Sequence, residues 1–232
     1  MKYFCLIDDI SCLDLGLKIV NRVNIPVVQR DTETIDIEGR NGSLIRDKGR
    51  WVDKEITIAF NFVNRDNFTQ QCRLISKWLR GNKLKFSDDI DVFYKIKKIE
   101  CDDIARSMKY KGSFNVKFTV DPFGWLEDGL NPIILTNSPS ALLNLGTWES
   151  KPIIKVYGTG NITLFVNSTE IDLANVDSYI IIDSTIMDCY KDGFNCNKQM
   201  SGEFPVLQEG QNSIIWTGNV SKIEITPNWV YL

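Results

Sequence analysis

The sequence predicts a mainly β protein of two domains with one amphipathic helix. Several segments alternate apolar and polar residues, one segment has a helical period, and the composition of the connection changes near residues 129–132. Of the 232 residues, 43% are hydrophobic and 25% charged, which is typical of a folded globular chain. A chain of this length accommodates one large domain or two modest ones.

The strand predictions come from period-two alternation. Residues 56–62 and 114–120 alternate most regularly, as expected of strands with one face on a core. Six further segments are similar: residues 92–99, 153–157, 162–166, 179–183, 213–216 and 222–226. Turn signals separate the segments: Asn41-Gly42, Gly158-Thr159-Gly160, Asp192-Gly193, Ser201-Gly202 and Gly210-Gln211-Asn212. Short strands punctuated in this way indicate β-sandwiches or partly open barrels.

One segment predicts a helix. Apolar residues recur at i, i+4, i+7 and i+11, and two more widen the stripe: Phe68, Cys72, Ile75 and Leu79, with Leu74 and Trp78. Asn64 or Asn67 is predicted to cap the start, and Gly81 to end the helix in the left-handed conformation. A lone helix of this length must bury its stripe against a sheet.

The change in composition places a domain boundary near Gly129-Leu130-Asn131-Pro132. Residues 1–130 are predicted to form a β domain with the helix. Residues 131–232 show no helical period and are predicted to form an all-β domain.

The composition excludes several classes of site. The chain has no histidine, which removes Ser-His-Asp and Cys-His triads and histidine-ligated metals. Six cysteines occur without a Cys-x-x-Cys pair, so free thiols are predicted rather than a zinc site. The net charge of −3 gives no footprint for nucleic-acid binding. We therefore predict no catalytic residue, no cofactor and no metal.

The N-terminal residues predict a chain made and folded in a cytosol. The apolar stretch within residues 1–10 is short, and Asp8 and Asp9 interrupt it where a signal peptide would continue. No apolar run approaches the ~18 residues that span a bilayer.

Two groups of residues leave other functions open. Three acidic pairs, Asp8-Asp9, Asp88-Asp89 and Asp102-Asp103, are interpreted as polar turns, although the carboxylates of a glycosidase can come from distant positions. Aromatic residues of the second half could stack on sugars, although core packing is the commoner fate: Trp148, Trp216, Trp229, Tyr179 and Tyr190.

Five stretches together resemble the distal tail protein (Dit) family of siphophages. The first is Gly39-Arg40-Asn41-Gly42-Ser43-Leu44 before the first regular strand, and the second is residues 75–89 with 93–95 around the helix end. The others are residues 116–123, then residues 144–146 with 151–154 and 158–164, and finally residues 202–214 with 225–229. None is a strict motif alone, but in this order they cover nearly the whole chain.

The resemblance implies a structural protein of the virion. The family forms a hexameric ring at the tail tip, assembled in the bacterial host cytoplasm. One face docks on the tail tube protein, the other meets a tail-associated lysin, tip or receptor-binding protein, and DNA passes through the lumen without specific binding. The resemblance also implies an N-terminal β-sandwich or split-barrel-like ring domain and a C-terminal galectin-like or jelly-roll-like β-sandwich. It implies no membrane partner. The net charge of −3 suggests a negatively charged lumen along which DNA slides.

Residues 39–51 are the candidate ring contact, because a hairpin-like tip at Asn41-Gly42 carries four basic residues. The candidate set is Arg40, Asn41, Gly42, Arg46, Lys48 and Arg50. A carbohydrate-binding β-sandwich that serves host adhesion is the main alternative function. A carboxylate-based glycoside hydrolase is the second alternative.

Overall fold

The computed structural model describes residues 2–232; Met1, the first residue of the predicted N-terminal domain, lies outside them. The chain divides into two compact units, one ending at Gly124 and the other comprising Trp125–Leu232. The sequence predicts the boundary after residue 130. Hydrogen bonds from Leu126 N to Trp229 O (3.0 Å) and from Asn228 N to Gly129 O (2.8 Å) attach the intervening residues to the second unit.

The first unit contains ten strands and one helix among its described residues. They are β1 (Cys5–Ile7), β2 (Ile10–Ser11), β3 (Leu17–Ile19), β4 (Arg30–Ile35), β5 (Leu44–Trp51), β6 (Lys54–Val63), α1 (Phe68–Trp78), β7 (Lys83–Phe86), β8 (Asp89–Cys101), β9 (Ala105–Met108) and β10 (Lys111–Val120). Seven strands follow the order β2-β1-β7-β8-β10-β6-β3, with β9 on β10. Strands β4 and β5 form a separate two-stranded sheet.

Strand β8 joins two layers of this unit. Its first half pairs with β7, as in Leu84 opposite Tyr94, and its second half pairs with β10, as in Phe118 opposite Ile99. A register shift marks the change near Val120. A strand that switches partners in this way turns a sheet on itself and encloses a core. The alternation predicted for residues 56–62 and 114–120 is confirmed, because the apolar positions of both are buried.

Helix α1 covers this core, as its apolar stripe predicts. Asn67 caps it by accepting a hydrogen bond from Gln70 N (2.9 Å). The Trp78 ring meets Phe60 edge-on at 5.9 Å. Two details of the prediction are wrong. Leu74 is 44% exposed. Gly81 has no positive φ, and glycine is required there because a Cβ would lie 2.3 Å from Ile7 Cγ2.

The second unit contains the remaining strands and two short 3₁₀ helices. The strands are β11 (Gly124–Leu126), β12 (Ile133–Leu135), β13 (Ser140–Asn144), β14 (Ile153–Val166), β15 (Thr169–Val176), β16 (Tyr179–Asp183), β17 (Asp188–Lys191), β18 (Phe194–Asn195), β19 (Met200–Gly202), β20 (Gly210–Thr226) and β21 (Val230–Tyr231). The first residue of β11, Gly124, is the last residue of the first unit. The 3₁₀ helices comprise Asp128–Leu130 and Asn197–Gln199. The main sheet has the order β12-β20-β14-β16-β17-β18; β13 pairs β20, and β15 pairs β14 and β19.

Two long, bent strands replace four predicted ones. Residues 153–157 and 162–166 are both in β14, and residues 213–216 and 222–226 are both in β20. The predicted turn Gly158-Thr159-Gly160 is wrong, because the pairing of β14 with β20 continues past it through two register shifts. A Cβ on Gly158 would lie 2.4 Å from Asn219 O, and Gly218 of β20 has φ +100°. Glycines therefore let the paired strands bend together at a corner.

The predicted turn Gly210-Gln211-Asn212 also lies within β20. Gly210 has the positive φ that was expected (+79°), but Asn212 does not. Asn212 is instead fully buried beside the apolar core of the unit, which contains Trp229. Among residues 2–232, no helix is both long enough and apolar enough to cross a membrane.

Candidate functional site

The candidate residues lie on a projecting β-hairpin, called here the arm: strands β4 and β5 with the connecting residues 36–43. Its register sets Glu33 opposite Arg46 and Thr34 opposite Ile45. Opposed residues share a face and faces alternate, so these two pairs lie on opposite faces, and all four residues are exposed. An isolated two-stranded hairpin is marginally stable in water, so an element exposed on both faces is expected to gain a partner surface.

The arm tip holds three of the six candidate residues, Arg40, Asn41 and Gly42. Gly39 (φ +78°) and Gly42 (φ +80°) adopt the left-handed conformation, and Arg40 N donates to Ile37 O at 3.1 Å. The sequence signal Asn41-Gly42 therefore lies at a reversal of the chain.

The other three candidates, Arg46, Lys48 and Arg50, lie on β5 and differ in their contacts. Arg50 Nε donates to Asp31 Oδ2 at 2.7 Å, and Lys48 Nζ lies 3.3 Å from Asp31 Oδ1. The hydrogen bond from Arg50, helped by Lys48, holds the pKa of Asp31 below its usual value. These contacts join the two strands near the base of the arm. Within the described chain, Arg40 and Arg46 have no ion-pair partner, so their charges are available to another molecule.

The arm also exposes large apolar side chains. Ile45 is 68% exposed, and Ile37 and Leu44 are each 44% exposed. These apolar side chains lie on β5 and at the tip, where a partner surface would remove them from water.

A second surface lies on the exposed side of helix α1 and on Arg80, two residues beyond the end of the helix. Arg73, Lys77 and Arg80 recur at i, i+4 and i+7 and are exposed, and none has a carboxylate partner among residues 2–232. Beside them is a groove of about 530 Å³ whose apolar lining includes Ile10, Leu15, Leu74 and Trp78. No interaction was predicted for these residues from the sequence; the signal that could have found them is the spacing of Lys77 and Arg80 with Arg73.

The acidic pairs are engaged in turns and ion pairs. Asp8 and Asp9 form the two-residue turn between β1 and β2, with φ of +47° and +66°. Asp8 Oδ1 accepts from Lys83 N (2.9 Å), and Asp9 Oδ1 lies 2.8 Å from Lys85 Nζ. The interpretation of this pair as a polar turn is confirmed.

The remaining pairs also have local partners. Asp88 lies 3.4 Å from Arg22, and Asp102 accepts from Asn115 Nδ2 at 3.0 Å. Across residues 2–232, no group of three or more cysteine, aspartate or glutamate side chains could hold a metal ion. The six cysteines are free thiols, as predicted.

The candidate sugar-stacking aromatics do not form one platform. Trp229 is only 5% exposed and Trp216 packs against the same core, as core packing predicts. Tyr179 instead pairs with Tyr157, with ring centroids 5.8 Å apart. Lys155 Nζ lies over both rings, at 4.1 Å and 4.8 Å from their centroids. This cation therefore covers one face of each ring.

Comparisons with known proteins agree with this architecture. No protein-family model and no curated protein matches the sequence. The structure is similar over 100% of both chains, with a TM-score of 0.75 and 10% sequence identity, to the crystal structure of the Dit protein (gp 19.1) of SPP1. That protein is described as a paradigm of the hub adsorption apparatus in phages that infect Gram-positive bacteria. The mainly β fold and its resemblance to Dit are therefore confirmed.

Proposed function

We propose that this chain is a structural, non-enzymatic distal tail protein of a siphophage. In this proposal six copies form a ring in the virion tail tip. The ring joins the tail tube protein to a tail-associated lysin, tip or receptor-binding protein, and DNA passes through its lumen. The observation that carries the proposal is the similarity of fold to the SPP1 Dit protein over the whole of both chains.

The arm supports the ring-forming part of this proposal. A cyclic ring uses head-to-tail contacts, so each subunit must present two different patches to its two neighbours. The arm supplies one such patch, with exposed apolar side chains and the unpaired charges of Arg40 and Arg46.

Mass in solution and negative-stain imaging test the proposal together. A hexamer would weigh about 160 kDa, six times the chain's 26.6 kDa, and would show six-fold rings. If the chain stays monomeric at every concentration and also with its tube protein present, the proposal is wrong.

Arm variants test the ring contact. Arg46→Glu reverses an unpaired charge and should weaken the ring. Lys111→Glu is the matched control and should leave the ring intact, because Lys111 in strand β10 is exposed and has no ion-pair partner among residues 2–232. Circular dichroism must show that both variants are folded, and equal ring formation by both would remove the arm from the interface.

A further inference from the structure

We propose that the groove beside helix α1 of one subunit receives the arm tip of the next subunit, with Ile37 inserted between basic side chains. This inference rests on the proposed ring and names the second of the two patches that such a ring needs. The shape, charge and reach of two parts of the same chain support this contact.

The groove has the size and lining of a docking site. Its volume of about 530 Å³ falls within the ~300–1,000 Å³ range of binding clefts. Trp78 anchors its floor by donating from Nε1 to Ile10 O at 2.9 Å. Ile10 and Leu74 are 51% and 44% exposed, so water covers apolar side chains that a partner would shield.

The rim of the groove is basic. Lys77 and Arg80 line it, and Arg73 lies one turn earlier on the same face of α1. Asp8 also lines the groove, but backbone N–H groups of Asn82 and Lys83 already hold its carboxylate, at 3.0 Å and 2.9 Å. The surface therefore suits an apolar side chain flanked by carboxylates.

The arm tip has this pattern in Asp36-Ile37-Glu38. All three residues are exposed, and no ion-pair partner is found for either acid within the described residues. The eight residues of β5 span roughly 25 Å at about 3.3 Å per residue, which is enough to reach across a subunit boundary.

Two other segments of the chain have a similar pattern, Glu170-Ile171-Asp172 with a buried isoleucine and Asp89-Ile90-Asp91 with an exposed one. The second is the closer match to the tip. It begins strand β8, where Asp89 is in register with Phe86 of β7. Because the sheet fixes its backbone, this segment cannot enter a groove as a projecting tip can. It therefore provides a matched control with the same charges around an exposed isoleucine.

Charge reversal tests the contact in the full chain. Variants K77E/R80E and D36K/E38K should each raise the protein concentration needed for ring assembly by about tenfold or more, the ratio that corresponds to roughly 1.4 kcal/mol. A chain carrying all four substitutions should regain assembly, because the charges are again complementary. The control D89K/D91K should assemble like the wild type. Light scattering gives the midpoint, negative-stain imaging identifies the ring, and circular dichroism verifies folding.

A photo-crosslinking residue at position 37 gives an independent measurement. The expected product is an intermolecular crosslink to the groove, located by mass spectrometry of mixed isotope-labelled and unlabelled chains. The inference is overturned if rings form but their crosslinks map outside the groove. It is also overturned if ring assembly responds to D89K/D91K instead of D36K/E38K. In both cases the proposed function stands. Absence of any ring in the wild type would overturn both.

Discussion

Asn212 offers a sharp test of how the second unit is held together, because a side chain expected in a turn is fully buried. Its Oδ1 accepts from Asn167 Nδ2 and from Gln208 N, both at 2.8 Å. Its Nδ2 donates to the carbonyl oxygens of Gln208 (2.9 Å), Gly210 (3.1 Å) and Leu142 (3.4 Å). One amide side chain therefore satisfies polar groups from three separate parts of the unit.

Asn212→Ala removes all five hydrogen bonds. A buried polar group left without a partner costs about 1–3 kcal/mol, and water can reach some of these groups because most of the bonds are only partly buried. We therefore expect a loss of about 3 kcal/mol in the free energy of unfolding. For a unit of roughly 100 residues this lowers the melting temperature by about 10–20 °C.

Two further variants separate hydrogen bonding from packing, with stability measured by calorimetry and urea unfolding. Asn212→Asp keeps the shape, loses the two donors and places a carboxylate oxygen against three carbonyl oxygens, so it should be destabilised at least as much as Asn212→Ala. Asn219→Ala, in the same strand but exposed, loses one bond to Thr159 Oγ1 and should change stability by less than about 0.5 kcal/mol. If Asn212→Asp is as stable as the wild type, the donor bonds contribute nothing and the reasoning fails.

Three other predictions concern single groups. The hydrogen bond from Lys85 lowers the pKa of Asp9. The stabilisation from this pair is therefore present above the usual aspartate pKa of ~3.9 and is lost as the pH falls through the lowered pKa. Acid unfolding of Asp9→Asn should lack this loss, and an acid unfolding profile identical to that of the wild type would contradict the prediction. Burial raises the pKa of the Cys189 thiol to about 12. Alkylation at pH 8, followed by mass measurement, should therefore modify this thiol only in denaturant. Rapid labelling of Cys189 in the folded chain would refute this prediction. Gly81→Ala places a Cβ 2.3 Å from Ile7 Cγ2 and should lower the melting temperature of the first unit. If glycine were needed at position 81 for a left-handed conformation instead, Gly81→Asn would be tolerated. A Gly81→Asn variant as stable as the wild type would therefore contradict the packing explanation.

Local patterns in the sequence predicted the elements whose burial is periodic. Strands β6 and β10 were predicted because every second side chain enters the core. Helix α1 was predicted because its apolar stripe and the Asn67 cap are local features. The ordered segments around the helix end and the second domain predicted the Dit-like fold. Their order along the chain carried information that no single motif held.

Tertiary pairing decided the features that local patterns describe incorrectly. Gly158 and Gly160 resemble a turn in the sequence, but the partner strand β20 continues beside them, so the same glycines form a corner within one strand. Gly81 resembles a helix stop, but it is required by the approach of Ile7 from a distant part of the chain. In both cases the deciding neighbour is far away in sequence.

The surfaces proposed for assembly were likewise visible in part from the sequence and in part only from the structure. The basic residues of the arm and its Asn41-Gly42 signal were visible in the sequence, because turn chemistry and charge are properties of single residues. Only the structure revealed that both faces of the arm are exposed, and that Ile10 and Leu74 meet beside Lys77 and Arg80. Such a groove joins residues more than sixty positions apart, and its existence depends on the packing of the helix against β1 and β2 rather than on any local preference of the chain.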